Sequence, residues 1–188
     1  MRPQELIKLM QTAENLKNNT RHSWTSSGRH ESVAEHSYML CFMALFIKDE
    51  FPDADMDKVI KMCILHDIGE AFTGDIPAFE KKTADEEKEA DVVAQWISGL
   101  PGAYRTEFSA LFEEMNALST EEARIYKALD KMEAVIQHNM ADISSWLPLE
   151  YDLQLTYGEK EVAFSDYMKD LKEAANEDTR KKIKEVIH

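Results

Sequence analysis

The chain contains few of the residues that break, cross-link or anchor a fold. Its 188 residues include six glycines, five prolines and two cysteines, a composition that excludes collagen-like, low-complexity and disulfide-framed proteins. The longest uninterrupted apolar run is nine residues, from Met39 to Ile47, whereas a membrane-spanning helix needs about 18. The amino-terminal stretch also lacks the features of a secretory signal. We therefore expect a globular cytoplasmic protein that does not span a membrane.

Positive charge is scarce as well. Lysine and arginine number 22 against 36 aspartates and glutamates, so the formal net charge is −14. Because such a surface repels a polyanion over most of its area, we expect no nucleic-acid polymer as a partner. The two cysteines, Cys41 and Cys63, lie in separate apolar stretches, and we expect both to be buried free thiols.

Apolar residues recur with helical spacing over most of the chain, and strand patterns are nearly absent. Ser32 and Glu35 form a capping-box pattern, which predicts a helix from there to about Glu50. Because this helix is apolar all round from Met39 onward, we expect it to lie at the centre of a bundle.

Further helices are predicted over 55–70, from a capping box at Thr83 to the Gly99–Pro101 break, over 104–115 and from Ser119 to Ile136. Residues 143–158 have no clean period and are predicted to form a packed loop. We therefore predict an all-α fold, a single domain over residues 1–188 with about seven or eight helices. Its motif core is expected over about 16–140, with C-terminal helices over 159–188 packed against it.

Three of the predicted helices carry His36, the adjacent pair His66 and Asp67, and Asp130. Buried polar groups cost several kcal/mol unless they are satisfied, so an ionised Asp67 among apolar neighbours needs a cation or several donors. If the helices face one another, two imidazoles and two carboxylates form a cage that suits Mn, Co, Fe or Zn better than Mg or Ca. A six-coordinate ion there would keep two positions for water and substrate, as catalytic sites do.

The motifs around these residues point the same way. His36 lies in SVAEHSYML, His66 and Asp67 begin HDIGEAFTGDIP, and Asp130 lies in KALDKMEAVIQH. This ordered set resembles the HD-domain metal-dependent phosphohydrolases, and in particular the 5′-deoxynucleotidases of that superfamily, over about residues 16–140. The resemblance implies an all-α fold of the HD-domain type. It also makes His36, His66, Asp67 and Asp130 the four ligands of one divalent transition metal, Co, Mn, Fe or Zn rather than Mg.

Two acids follow the His66–Asp67 pair. Glu70 comes four residues after His66 and three after Asp67, so on a continuous helix it shares their face. From there its carboxylate could accept a proton from metal-activated water and return it to the departing 5′ oxygen. The resemblance likewise makes Glu70 catalytic, and it makes Asp75 of the TGDIP loop a catalytic and substrate-contacting residue.

The resemblance places a phosphate-orienting arginine at Arg21, fifteen residues before His36. A guanidinium can clasp two phosphate oxygens in this role. The segment RHSW is similar to the RxGW of eukaryotic-type members, with Ser23 in place of the glycine. In bacterial members a tryptophan directly follows the arginine and borders the sugar, whereas this chain has His22 there and Trp24 nearby. The residues expected to bind substrate are Arg21, His22, Trp24, His36, Glu70, Asp75, Ile76, Pro77 and Asp130.

These features predict a divalent-metal-dependent 5′-nucleotidase that releases phosphate from deoxyribonucleoside 5′-monophosphates by metal-activated water. One alternative is an HD-type enzyme for another nucleotide, such as a cyclic nucleotide, an alarmone or a triphosphate. Another is an inactive regulatory module that holds a metal and a nucleotide, although the presence of both Glu70 and Asp75 argues against it. A metal-free interaction protein would leave His66 and Asp67 buried and unpaired, which is costly. A homodimer is expected from the resemblance, with the C-terminal helix as a candidate contact.

Overall fold

Helices make up most of the chain in the computed structural model, which describes residues 1–187. The helices are α1 (Pro3–Asn18), α2 (Val33–Phe46), α3 (Met56–Leu65), α4 (Glu70–Thr73), α5 (Thr83–Ser98), α6 (Gly102–Ala117), α7 (Glu121–Met140), α8 (Glu150–Thr156), α9 (Glu159–Val162) and α10 (Asp166–Ile187). Two 3₁₀ turns, Lys48–Glu50 and Ile143–Ser145, and two strands, β1 (Thr20–Trp24) and β2 (His30–Ser32), complete the elements of this range. Eight of these ten helices are longer than four residues, so the prediction of an all-α bundle is confirmed.

The two strands form an antiparallel hairpin that the sequence analysis did not predict. Thr20 pairs with Ser32 and Trp24 with His30. Gly28 lies in the connecting turn with a φ of 80°, a left-handed conformation that favours glycine. Strands of five and three residues are too short to establish an alternating pattern in the sequence. The hairpin matters because it carries Arg21 and leads directly into α2.

The main core lies between α2, α3 and α7. The predicted capping box starts α2: Ser32 Oγ accepts from the Glu35 N–H at 3.2 Å, and the Glu35 carboxylate accepts from the Ser32 N–H at 2.9 Å. Thr120 caps α7 by accepting from the Ala123 N–H at 3.2 Å. The apolar side chains fully buried between the three helices include Leu40, Ala44, Val59, Met62, Ile125, Leu129 and Met132. Polar residues on the same inner faces are thereby brought together.

A smaller apolar cluster surrounds the connection between α3 and α4. Its buried members are Leu16, Val33, Ile68, Ala71, Val93 and Ile97, so α1 and α5 pack around this connection. At Gly69 an added Cβ would lie 2.5 Å from Glu89 Cγ, which means that α5 approaches the backbone directly. The turn that carries His66 and Asp67 is therefore held from both sides.

The expectation that α2 is buried all round is wrong. One face, with Val33, His36, Leu40 and Ala44, is buried. The opposite face exposes Tyr38, Phe42, Leu45 and Phe46, which are 63%, 45%, 54% and 73% accessible. The helix also ends at Phe46 rather than Glu50, and a 3₁₀ turn follows. The sequence shows that apolar residues lie on every face of this helix. Which of these faces is buried depends on the elements that pack against it in the fold.

Three other boundaries differ from the sequence prediction. The helix expected over 55–70 ends at Leu65, and a turn leads to the separate helix α4 at Glu70. Thr83 begins α5 as its first helical residue, and the cap is Lys82, whose N–H donates to the Asp85 carboxylate at 3.0 Å. The loop expected over 143–158 contains α8.

The C-terminal helix α10 packs on α7 and α8. Asn139 Nδ2 donates to the Ala175 carbonyl at 2.9 Å, and the Thr179 hydroxyl donates to Asn139 Oδ1 at 3.0 Å. Lys172 Nζ donates to the Gln154 carbonyl of α8 at 2.7 Å. The region predicted over 159–188 thus contacts the motif core along its described part, while residue 188 lies outside the described residues.

Cys41 and Cys63 are both free thiols, with Cys63 buried and Cys41 half-buried rather than buried as expected. Among residues 1–187, every helix is too short or too polar to cross a lipid bilayer.

Candidate functional site

His36 lies on the inner face of α2, one turn after the Ser32 cap, and its side chain is fully buried. Its Nδ1 is hydrogen-bonded to the Glu133 carboxylate of α7. Its Nε2 lies 3.4 Å from Asp130 Oδ1 and 3.8 Å from Asp67 Oδ2. The ring is therefore held on one side and directed at two carboxylates on the other.

His66 and Asp67 follow the last residue of α3 and belong to the turn that leads to α4. His66 Nδ1 is 2.9 Å from the Cys63 carbonyl. Its Nε2 is 3.0 Å from Asp67 Oδ2 and 4.0 Å from Asp130 Oδ1. Four side chains thus come together from α2, the α3–α4 turn and α7. We call His36, His66, Asp67 and Asp130 the four-ligand cluster.

The four-ligand cluster fits a divalent metal ion. The Nε2 atoms of His36 and His66 are buried and have no hydrogen-bond partner among the described residues. Each ring uses Nδ1 on an acceptor, Glu133 or the Cys63 carbonyl, which is how metal-binding histidines are oriented. A cation between the two Nε2 atoms and the two carboxylates would satisfy all of them, and mixed N and O donors are typical of transition-metal sites.

Both carboxylates of the cluster carry charge at neutral pH. Burial acts to raise the pKa of Asp67, but His66, His36 and Arg21 hold it well below its ordinary value. Burial opposes ionisation of Asp130 too, and Lys127 and Lys131 lower its pKa nonetheless. Burial and Arg21 act to lower the pKa of His36, whereas Glu133 and Asp130 raise it to about 9. A cation and a proton therefore compete for this imidazole.

Sequence reasoning missed four charged residues around the cluster. Glu133 supports His36, and Glu31 of β2 lies beside Glu133 and Arg21. Lys127 and Lys131 reach Asp130 Oδ2 at 2.9 Å and 3.2 Å. Residues three or four positions apart on α7 share a face, so the spacing of 127, 130, 131 and 133 was a usable signal. Charged residues at such spacing are also common on solvent-exposed helix faces, so the spacing alone does not indicate a buried site.

Glu70 is buried at the start of α4. Only 4% of it is accessible, and its Oε2 has no hydrogen-bond partner among the described residues. Burial, together with the nearby charges of Asp67 and Asp75, raises the pKa of Glu70 to about 10. Gly74, with a φ of 77°, ends α4 and turns the chain toward Asp75. The two acids are thus presented at the same edge of the cluster.

Arg21 projects from β1 to the cluster. Its Nε lies 3.4 Å from Glu31 and its Nη1 3.6 Å from Asp67 Oδ2. Burial acts to lower its pKa, but Asp67, Glu133 and Asp130 raise it above the ordinary value. The guanidinium is therefore a permanent positive charge next to the Asp67 carboxylate of the four-ligand cluster.

A cavity opens beside Arg21. Its wall contains Arg21, His22, Asp75 and Pro77 from the predicted set, together with Phe79, His138, Glu150 and Tyr157. Five predicted substrate-binding residues are outside this wall. His36, Glu70 and Asp130 belong to the four-ligand cluster or lie beside it. The Trp24 ring packs against His30 with 4.0 Å between centroids, and Ile76 is half-buried and not part of the wall.

A second cleft lies between α5 and α6 and reaches the cluster through His66 and Lys81. Glu86, Glu89 and Glu113 also line it, together with Arg105, so its wall carries charges of both signs. The cavity beside Arg21 is the better candidate for a phosphate ester, because the Arg21 guanidinium in its wall lies 3.6 Å from Asp67 of the four-ligand cluster.

Comparison with known proteins is consistent with this geometry. The chain matches the family model described as HD domain over residues 13–172. A Homo sapiens protein named 5′-deoxynucleotidase HDDC2 is 30% identical over 136 residues, covering 70% of this chain and 66% of the human protein. Its Danio rerio namesake is 31% identical over 136 residues, covering 70% of this chain and 67% of the relative. This chain therefore spans about two thirds of these relatives' length.

A solved structure shares the fold along almost the whole chain. It is the crystal structure of a "predicted metal-dependent phosphohydrolase" from Magnetospirillum magnetotacticum, which aligns with a TM-score of 0.77 and 25% identity. The alignment covers 95% of this chain and 93% of that one.

Proposed function

The chain belongs to the HD domain family, and from that premise we propose that it is a metal-dependent phosphohydrolase acting on deoxyribonucleoside 5′-monophosphates. One observation carries the proposal. The Nε2 atoms of His36 and His66 are buried and have no hydrogen-bond partners among the described residues. They face two ionised carboxylates, Asp67 and Asp130. Beside them lies a cavity with the half-buried guanidinium of Arg21 on its wall. A metal site next to a positive charge that can bind a phosphate group is what phosphoryl transfer to water requires.

In this proposal His36, His66, Asp67 and Asp130 hold the ion, with Co or Mn preferred, then Fe or Zn, and Mg last. A divalent ion bound there supplies Lewis acidity toward phosphoryl oxygens and lowers the pKa of water. Glu133 keeps the His36 ring oriented through Nδ1. Lys127 and Lys131 contact Asp130 and limit the excess negative charge of the site.

Glu70 is the proton carrier in the proposed reaction. Without an ion its raised pKa of about 10 keeps the group protonated at neutral pH, and a divalent ion in the four-ligand cluster would favour the carboxylate. That carboxylate accepts a proton from the water whose oxygen bonds to phosphorus, and it gives that proton to the 5′ oxygen as the P–O5′ bond breaks. The unpartnered Oε2 of this buried side chain supports the role, because a lone pair remains for the water.

Arg21 and Asp75 bind the substrate in the same proposal. The guanidinium of Arg21 retains N–H groups beyond its contacts with Glu31 and Asp67, and these can clasp non-bridging phosphate oxygens. Asp75, His22 and Pro77 line the cavity and would contact the nucleoside. We do not assign Trp24 to the substrate, because its ring packs against His30.

The test is phosphate release from matched deoxyribo and ribo 5′-monophosphates after chelation and re-addition of Mn, Co, Mg or Zn. We expect release from deoxyribonucleotides that disappears on chelation and returns best with Co or Mn. Cyclic nucleotides, triphosphates and bis(p-nitrophenyl) phosphate complete the panel. Activity with these esters and none with monophosphates would replace the proposed substrate class with another.

We also propose a cytoplasmic homodimer. The free thiols Cys41 and Cys63 are typical of a reducing compartment. The exposed apolar face of α2, formed by Tyr38, Phe42, Leu45 and Phe46, supports a second copy as partner. This face replaces the C-terminal helix as the candidate contact, because α10 packs on α7 and α8 of its own chain.

A further inference from the structure

A second group of metal-binding side chains lies outside the four-ligand cluster. Glu150 starts α8 and is 2% accessible. Its Oε1 lies 3.0 Å from His22 Nε2 of β1 and 3.0 Å from His138 Nε2 in the last turn of α7. All three potential ligand atoms lie within 4.8 Å of one another. We call this group the His–Glu cluster.

The hydrogen-bond directions in the His–Glu cluster favour a cation. His138 Nδ1 lies 3.1 Å from the Ala134 carbonyl, which can only accept, so Nδ1 is a donor, and in the neutral tautomer with this proton Nε2 is the ring atom that can bind a metal. His22 Nε2 is buried and has no hydrogen-bond partner among the described residues. Two imidazole nitrogens therefore converge on one carboxylate oxygen, and a metal ion between them would satisfy all three atoms.

The carboxylate is also fixed in place. Glu150 Oε2 accepts from the Leu147 N–H at 2.6 Å, which leaves Oε1 for the two histidines.

The spacing matches a tetrahedral ion. Ligand atoms about 2.0–2.1 Å from a zinc ion lie roughly 3.3 Å apart, so the two 3.0 Å separations require little movement. Two histidines and one glutamate are a known zinc-binding set that leaves a fourth position for water or another ligand. In the four-ligand cluster the N–O separations run from 3.0 to 4.0 Å, so the two N–O separations of the His–Glu cluster equal the shortest of them.

The two clusters are separate centres. His138 follows Asp130 by eight residues on α7, which is about 12 Å along the helix axis. Paired catalytic metals lie about 3.5–4 Å apart. An ion at the His–Glu cluster would therefore act on its own, in the wall of the cavity that also holds Arg21, and it would tie β1, α7 and α8 together.

We propose that His22, His138 and Glu150 form a second, independent binding site for a divalent transition metal such as Zn²⁺. The proposal does not depend on the proposed enzymatic function. It gives the chain two ions, one in each cluster.

The test counts zinc bound by the full chain after stripping with a chelator and equilibration with Zn²⁺ and a weak competing chelator. We expect two ions per chain in the wild type. Each of the single variants His22→Gln, Glu150→Gln and His66→Ala should bind one ion. The double variant His22→Gln/His66→Ala should bind none. His30→Gln changes a histidine outside both clusters and should keep two. Because His22 is partly exposed, its substitution is compatible with folding, and circular dichroism of each variant verifies this.

One ion in the wild type that is lost in His66→Ala overturns the second site and leaves the proposed function intact. Two ions in His22→Gln and in Glu150→Gln also overturn it, since the ion would then lie elsewhere. Replacement of zinc by Co²⁺ provides a second readout. Intense visible absorption from tetrahedral cobalt should persist in His66→Ala and vanish in His22→Gln, and its persistence in both would count against the proposal.

Discussion

Glu70 is deeply buried, and its Oε2 has no hydrogen-bond partner among the described residues. A buried carboxyl group without a partner for one oxygen costs free energy, and the group lies between Asp67 and Asp75, whose charges raise its pKa. Such destabilised groups are concentrated where chemistry needs them. The cost of Glu70 is therefore best explained by proton transfer during the proposed reaction.

The first prediction separates proton transfer from metal binding. Glu70→Gln keeps the size of the side chain and removes the proton acceptor, so we expect kcat to fall by about 10²–10⁴-fold with the metal content of the wild type. His66→Ala should lose one ion per chain and the activity with it. Metal analysis and phosphate release on the same samples measure both. An equal loss of metal in the two variants would make Glu70 a ligand.

A second prediction concerns Lys172, which is 4% accessible on α10 and whose pKa burial lowers to about 8. Below pH 8 the amine is charged in both folded and unfolded chains, so the folded chain bears the full free-energy cost of burying that charge. Between pH 8 and its ordinary value of 10.5 only the unfolded chain binds the proton, so the free energy of unfolding rises with pH.

Lys172→Met removes this titration. We expect the stability of the wild type relative to Lys172→Met to increase by about 1–2 kcal/mol between pH 7 and 10, measured by urea unfolding at each pH. A difference between the two proteins that stays constant over this range contradicts the burial argument.

At the residue scale, the sequence could predict that the four residues of the four-ligand cluster lie together, but not what surrounds them. His36, His66 and Asp67 stand out because each interrupts an apolar helical segment. Glu31 and Glu133 are just as buried, yet they lie among other charged residues in sequence. Their burial depends on the hairpin and on the pairing of α2 with α7, and neither is visible in a local pattern.

At the scale of elements, the residue that directly precedes α9 is a glycine that other residues cannot easily replace. Gly158 has a φ of 83°, and an added Cβ would lie 2.7 Å from Met132 Cε and 2.8 Å from Lys131 Cβ. Lys131 in turn reaches Asp130 of the four-ligand cluster. A side chain added at Gly158 would therefore collide with α7, the helix that carries Asp130 of the four-ligand cluster.

We expect Gly158→Ala to lower the free energy of unfolding by about 1–3 kcal/mol, because both the backbone and the contact with α7 are strained. Gly102→Ala is the matched control, since it lies in the first turn of α6 and its added Cβ meets nothing within 4 Å. This control should change stability by less than about 1 kcal/mol, in the stabilising direction. Equal midpoints of urea unfolding for the two variants would refute the argument.

The elements that the sequence predicts well are those with their own start signals. The cap at Ser32 acts within one turn, so local sequence determines it. The cap of α7 is Thr120, one residue after the predicted start at Ser119. The hairpin and α8 were missed because distant residues stabilise them. Gln137 Nε2 donates to the Trp24 carbonyl at 2.7 Å, and Lys172 donates to that of Gln154. The end of α3 was missed for the same reason, since α1 and α5 pack around the turn after it.

For the whole molecule, the net charge of −14 limits how a second copy can approach. Two such chains repel each other over most of their surfaces. The described part of α2 bears a single charged residue, Glu35, at its N-terminal end. Its exposed face carries Tyr38, Phe42, Leu45 and Phe46, with Phe42 and Phe46 in contact at 4.8 Å between centroids. An apolar stripe of this kind is a surface where association removes hydrophobic area from water at low electrostatic cost.

The last prediction tests that stripe. Phe46 is 73% accessible, so Phe46→Glu places a charge in the proposed contact without disturbing the core, and in a two-fold dimer the charge enters the interface twice. We expect light scattering after gel filtration to give the mass of two chains for the wild type and of one chain for Phe46→Glu. Leu6→Glu, at a 52% accessible apolar position of α1, should remain dimeric. A wild type with the mass of one chain at all concentrations, or a Phe46→Glu variant with the mass of two, would show that the exposed face of α2 does not join two copies.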